Sequence, residues 1–130
     1  ICHCFLELDE YSEALNYYFK VDLLSPDNTR AWRSIAWCAF LSRKFDIAQR
    51  YYTQIIENQP NAHDYLNAGH VEFCLTNTKK AVDLYVNAVK SAGSFNAFKS
   101  LFNEDLDELQ EAGIDLTILP IILDKVRYDA

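Results

Sequence analysis

The chain has 130 residues, of which 50% are hydrophobic and 24% are charged, a balance typical of one globular domain rather than a disordered or fibrous segment. No run approaches the roughly 18 consecutive apolar residues of a membrane span, so none is predicted. The net charge is −7, with acid concentrated in residues 1–25 and 94–130. No nucleic-acid partner is predicted, because phosphate binding requires a clustered basic face.

Paired amphipathic helices are predicted along residues 1–91, because apolar residues recur at three- and four-residue spacing in runs separated by short polar breaks. Residues 1–8 are the end of one helix and residues 11–24 its partner, which stops at Pro26 because proline disfavours a helical residue before it. Asp27 or Asn28 caps the next helix, which runs to about Leu41, and residues 45–58 form its mate. A third pair covers about 62–75 and 78–91.

Two C-terminal helices are predicted after these pairs. Residues 94–112 carry one apolar stripe that ends at Gly113, a residue suited to a helix stop, and the stripe comprises Phe95, Phe98, Leu101, Phe102, Leu106, Leu109 and Ala112. Thr117 is expected to cap a last helix with Pro120 in its first turn. Its buried face is predicted to comprise Ile118, Ile121, Ile122 and Val126.

An internal repeat links the helical pairs. Ala14, Tyr18, Val21 and Pro26 are followed 34 residues later by Ala48, Tyr52, Ile55 and Pro60, and after 33 more by Ala81, Tyr85, Ala88 and Gly93. This period is expected of a helix-turn-helix unit stacked in a solenoid. Such a unit cannot bury its apolar face alone, so its neighbours share a continuous core and leave a curved surface for binding.

Residues 1–93 resemble the tetratricopeptide repeat (TPR) family at its defining positions. The first repeat keeps Cys2, Phe5, Ala14, Tyr18, Val21 and Pro26; the second keeps Trp32, Ile35, Ala36, Ala48, Tyr52 and Pro60; the third keeps Tyr65, Ala68, Gly69, Ala81 and Tyr85. Gly93 stands where proline is usual, Glu72 where an aromatic is usual, and Thr78 replaces the aromatic that opens the second helix. Residues 94–130 look similar to the tails of uncharacterised bacterial TPR proteins.

The resemblance implies an all-α fold, a right-handed α-solenoid of stacked helical hairpins with a two-helix C-terminal cap. Its divisions are a half-unit 1–25, units 26–60 and 61–93, and capping helices 94–130. The resemblance also implies a concave peptide-binding groove, lined by His3, Leu6, Arg30, Arg33, Trp37, Phe40, His63, Leu66, His70 and Phe73. Trp and Arg in such a groove suit a partly acidic peptide. Alternatively, Trp37, Phe40 and Phe73 are core residues beneath C-terminal helices that fold back over the groove.

Neither catalysis nor cofactor binding is predicted. Cys2 and Cys4 are two residues apart and point away from each other on a helix, so they cannot share a metal ion. Cys4 and Cys38 occupy the same place in successive repeats and are expected to be buried small hydrophobes. Cysteines within helices favour free thiols in a reducing compartment, which predicts a cytoplasmic location. No nucleophile constellation or glycine-rich phosphate loop is present in the sequence.

The sequence therefore predicts a non-catalytic protein-interaction module. Two alternatives stay open: a secretion-type chaperone, and a scaffold or regulatory part of a larger chain that also contains an enzyme. The chain starts inside a repeat and without methionine, so it is predicted to be part of a longer protein. Apolar residues at that end, Ile1, Phe5 and Leu6, predict that the isolated fragment either self-associates or requires upstream repeats. A carboxylate clamp of the chaperone-binding TPR type is not expected, because Trp37 replaces its first asparagine.

Overall fold

The computed structural model describes residues 13, 16, 17, 20, 29–114 and 116–130. Within these residues all regular secondary structure is helical, so the all-α prediction is confirmed. The four described positions before residue 29 are helical, as predicted for residues 11–24. The predicted helix 1–8 and the caps at Asp27 and Asn28 lie outside the described residues. The chain divides into two compact units, Ile1–Asn58 and Gln59–Ala130.

In the first unit, helices α1 (Thr29–Leu41) and α2 (Phe45–Ile56) pack against each other across a short turn. Arg43 adopts a left-handed conformation with φ 62°, and the next amide, of Lys44, donates to the Ala39 carbonyl at 2.8 Å. This Schellman motif ends α1 without a glycine. Ala36 and Ala48 are both buried, as the small repeat positions predicted. Helix α2 ends two residues before the predicted Asn58.

In the second unit, helices α3 (Ala62–Cys74) and α4 (Thr78–Ala92) form a similar pair. Asn61 and Asp64 make a reciprocal capping box at the start of α3, with both hydrogen bonds at 2.9 Å. Thr76 repeats the role of Arg43, with φ 64° and the following amide of Asn77 bonded to the Glu72 carbonyl. Gly93, with φ 94°, ends α4.

A close approach between α3 and α4 depends on Gly69. An added Cβ at this position would lie 2.5 Å from Cε1 and 2.7 Å from Cδ1 of Tyr85, closer than real carbon atoms come. Tyr85 is itself fully buried, and its ring has edge-to-face contacts with Phe98 and Phe102 in the following helix. The glycine therefore lets one large aromatic ring enter the core between its own hairpin and the next element.

The C-terminal region has three α-helices rather than the two predicted. They are α5 (Phe95–Glu104), α6 (Leu106–Glu111) and α7 (Leu119–Asp129), with a 3₁₀ turn at Leu116–Ile118 before the last. The single helix expected over residues 94–112 is therefore corrected, because it breaks at Asp105. The Gly113 stop is confirmed by its φ of 97° and by the bond from the next amide to the Leu109 carbonyl.

The buried face of α7 also differs from the prediction. Pro120 lies in its first turn as expected, but Ile118 rather than Thr117 occupies the N-cap position and makes no side-chain cap. Because the helix starts at Leu119, its buried stripe is Leu119, Ile122 and Val126. Ile118 and Ile121 are 40% and 70% exposed, which corrects their assignment to the core. Helix α7 packs against α4.

Candidate functional site

The predicted groove residues fall into two groups that differ in solvent exposure. Arg33 and Trp37 are half-buried on α1, and His63 is exposed in the first turn of α3. Phe40, Leu66, His70 and Phe73 are buried in the core. His3 and Leu6 lie outside the described residues, as does the side chain of Arg30.

Arg33 and Trp37 form the Arg33–Trp37 surface of the first unit, and the buried Phe40 packs against the indole. The rings of Trp37 and Phe40 stack with their centroids 5.3 Å apart and an interplanar angle of 22°. Phe40 is in turn held against Phe45, at the start of α2, with a centroid distance of 5.8 Å. Arg33 precedes Trp37 by one helical turn and so shares its face. The half-exposed indole is therefore supported from below.

Leu66, His70 and Phe73 line the inner side of α3, where sequence reasoning expected a groove. Leu66 and His70 have no exposed surface, and Phe73 has only 5%. These three side chains, and Phe40 in the first unit, are therefore core residues with no surface for a partner, which corrects their assignment to an open groove. For His70 the cause is direct, because its ring meets Tyr85 of α4 and Phe102 of α5 at centroid distances of 5.5 and 5.3 Å.

Both ring nitrogens of His70 have hydrogen-bond partners. Nδ1 lies 2.8 Å from the Tyr85 hydroxyl, and Nε2 lies 3.0 Å from Oδ2 of Asp105. An ionised carboxylate only accepts, so Nε2–H donates to Asp105. Burial raises the pKa of Tyr85 well above its usual value, and Cys74 and Asp105 nearby act in the same direction, so the phenol keeps its proton. In the neutral imidazole, Nδ1 therefore accepts from the Tyr85 O–H.

This His70–Tyr85–Asp105 network performs a structural role. Because the imidazole is fully buried and both its nitrogens are bonded, it has no free position for exchanging a proton with a bound molecule. It instead ties the break between α5 and α6 to α3 and α4. Sequence reasoning placed His70 in the groove and missed Asp105. The available signal was that His70 lies between Leu66 and Phe73 on one apolar helical stripe.

Glu72 is another buried polar residue of the second unit. Its side chain, 3% exposed, accepts from Nδ2 of Asn77 at 2.8 Å through Oε2, and Lys80 Nζ lies 3.4 Å from Oε1. These partners offset the free-energy cost of burying a carboxylate. The carboxylate therefore joins the end of α3 to the start of α4, and it does not face an open site.

Burial makes the two cysteines of the described region less acidic than an ordinary thiol. Cys38 and Cys74 are free thiols and both half-buried, so Cys38 is less enclosed than the small hydrophobe predicted. Burial raises the pKa of Cys38, and it raises the pKa of Cys74 to about 12. A thiol with so high a pKa is almost entirely protonated near neutral pH and reacts slowly.

Two further findings concern only the described part of the chain. No group of three or more His, Cys, Asp or Glu side chains converges there in a way that could hold a metal ion. None of its helices is both long enough and apolar enough to cross a bilayer. The Cys2-His3-Cys4 segment lies outside the described residues.

The comparisons with known proteins add no assignment. No protein-family model matches this chain, and no curated protein matches it either.

Proposed function

We propose that this chain is a non-catalytic interaction module that binds a partly acidic protein segment on the Arg33–Trp37 surface. The proposal includes TPR-like stacking of the hairpins into a right-handed solenoid with a C-terminal helical cap, and a reducing, cytoplasmic location. It rests on the residues of the repeat and on the local geometry of α1.

The observation that carries the proposal is the indole of Trp37, half-buried and stacked on the buried ring of Phe40. Large aromatic side chains held in one orientation are the commonest binding anchors, because they bury much area while losing little conformational entropy. The stack on Phe40 provides that orientation before any partner arrives. Binding therefore loses less free energy to ordering than it would with a mobile side chain.

Charge indicates the character of the segment. Residues 26–60 carry five basic and three acidic side chains, whereas the whole chain has a net charge of −7. Arg33 lies one turn from Trp37, where its guanidinium can form charge-assisted hydrogen bonds with a carboxylate that approaches the indole. A segment that combines an apolar side chain with a nearby Asp or Glu fits both groups.

The experiment is a peptide selection with matched variants. Displayed peptides are selected on the 130-residue chain, and their affinities are measured by fluorescence anisotropy. Trp37→Ala should weaken binding about thirtyfold, which corresponds to about 2 kcal/mol, and Arg33→Ala should weaken it about fivefold to tenfold. Arg50→Ala is the charge-matched control, because it removes an exposed arginine that lies over Tyr51 on α2 and does not belong to the Arg33–Trp37 surface. Its effect should stay within about twofold.

Circular dichroism of each variant tests whether the helices are retained. The proposal fails if selected peptides bind Trp37→Ala and wild type equally well. It also fails if Arg50→Ala weakens binding as much as Arg33→Ala, because charge alone would then explain the affinity.

A further inference from the structure

A small open pocket lies in the second unit where the start of α5 meets the end of α7. Its volume is about 290 Å³, and its walls are Ser94, Phe95, Asn96, Lys99 and Arg127. Two of these five side chains are cationic and none is acidic. The pocket thus presents positive charge, apolar surface and hydrogen-bonding groups within one small space.

The guanidinium of Arg127, an exposed residue, lies over an aromatic ring at this pocket. Its Cζ lies over the Phe95 ring, 5.9 Å from the centroid, and Phe95 contacts the fully buried Phe98 with ring centroids 5.9 Å apart. A cation over an aromatic face is attracted by the ring quadrupole, and the planar guanidinium keeps its N–H groups available at the edge. The arginine is therefore partly ordered before any ligand binds.

Neither cation of the pocket is neutralised by the described part of its own chain. Arg127 has its contact with Phe95, and Lys99 forms no ion pair there. This is notable because residues 94–130 contain eight acidic and only three basic side chains. Two of those three basic side chains line this one pocket, while no acid does.

We infer that this pocket binds the carboxylate of a glutamate or aspartate side chain in a partner peptide. Arg127 supplies paired N–H donors, Lys99 a second cation, and the Phe95 ring a surface for the methylene groups of the acid. A phosphate group shares the oxyanion chemistry, but inorganic phosphate has no methylene groups that could contact the Phe95 ring. The carboxylate is therefore the assigned ligand.

This site goes beyond the proposed function, because it lies in the second unit and requires neither Arg33 nor Trp37. The probe is the blocked tripeptide Ala-Glu-Ala, compared with Ala-Gln-Ala and with inorganic phosphate. Each is titrated into ¹⁵N-labelled protein at about 20 mM salt, where screening is weak. We expect Ala-Glu-Ala to give saturable shifts of the amides of residues 94–99 and of the Arg127 side-chain N–H, Ala-Gln-Ala to give none, and phosphate to bind more weakly than Ala-Glu-Ala.

Variants give the decisive comparison. The double variant Lys99→Gln/Arg127→Gln should weaken binding of the Glu peptide about tenfold or more. Lys125→Gln removes an exposed α7 charge that does not line the pocket, and its effect should stay within about twofold. Circular dichroism shows whether the double variant keeps its helices. If the double variant loses them, the single variants Lys99→Gln and Arg127→Gln provide the same test, and each should bind the Glu peptide about threefold more weakly than wild type.

Three results would overturn the inference: equal shifts with the Gln peptide, equal weakening by Lys125→Gln, or tighter binding of phosphate than of the Glu peptide. The Arg33→Ala/Trp37→Ala variant separates this site from the proposed function. On addition of the Glu tripeptide it should show the same shifts of residues 94–99 as wild type does, whether or not the Arg33–Trp37 surface binds a partner.

Discussion

Gly69→Ala should destabilise the protein, although alanine is the better helix former. The substitution gains about 1 kcal/mol in helix propensity. The new Cβ would however lie 2.5 Å from Cε1, 2.7 Å from Cδ1 and 3.1 Å from Cζ of Tyr85. The Tyr85 ring contacts Phe98 and Phe102, and its hydroxyl is hydrogen-bonded to His70, so the ring cannot move away from the new Cβ without disturbing these contacts. Overpacking costs about 1–3 kcal/mol, and loss of the hydrogen bond adds about 1 kcal/mol.

The expected net loss is about 1–3 kcal/mol, measured as the free energy of unfolding from urea titrations followed by circular dichroism. For a chain of this length each kcal/mol lowers Tm by about 4 °C. Tyr85→Ala provides the control background, because without the ring the same Gly69→Ala change should be neutral or stabilising by up to about 1 kcal/mol. The reasoning is refuted if Gly69→Ala stabilises the wild-type protein, or if its effect is the same in both backgrounds.

Three further predictions concern the second unit. Asp105→Ala leaves Nε2 of buried His70 without its acceptor and should reduce the free energy of unfolding, measured by urea titration, by about 1–3 kcal/mol. Glu104→Ala, at an exposed position, is the control and should change that free energy by less than about 0.5 kcal/mol. Equal effects of the two substitutions would contradict the His70–Tyr85–Asp105 network. Thr76→Gly should raise Tm, because glycine adopts a φ of 64° without the steric cost of about 1 kcal/mol that threonine has there. A lower Tm of the variant would contradict the assignment of backbone strain to Thr76. Burial raises the pKa of Cys74 from about 9 to about 12, so as the pH rises the thiol ionises in the unfolded chain before it does in the folded one. The contribution of this thiol to the free energy of unfolding is therefore complete below pH 9 and declines toward pH 12. Cys74→Ala should make the alkaline decline in urea titrations shallower, and an unchanged decline would contradict the assignment.

The helices of residues 29–92 were predictable because their signals are local. Apolar spacing located α1 to α4 to within a few residues, and the small residues Ala36 and Ala48 are buried as the repeat predicted. The turns were less visible, since Arg43 and Thr76 adopt the left-handed conformation that sequence reasoning reserves for glycine or asparagine. Surrounding contacts outweigh that local preference.

The C-terminal errors have a long-range cause. The apolar stripe of residues 94–112 continues past Asp105, so nothing local marks the break. The Asp105 side chain instead pairs with His70, which lies 35 positions earlier in the chain. The candidate site was predictable to the same limited degree. The family resemblance predicted Arg33, Trp37 and His70 as groove residues, but it could not show that the rings of Tyr85 and Phe102 cover His70.

The two tryptophans are an intrinsic fluorescence probe of one part of the protein. The chain has only Trp32 and Trp37, and both lie on α1 of the first unit. Intrinsic emission excited at the red edge of the absorption band therefore reports on that unit alone, while far-ultraviolet ellipticity averages over every helix. If the two signals change at different denaturant concentrations, the units melt as separate cooperative blocks; if the curves superimpose, they melt as one.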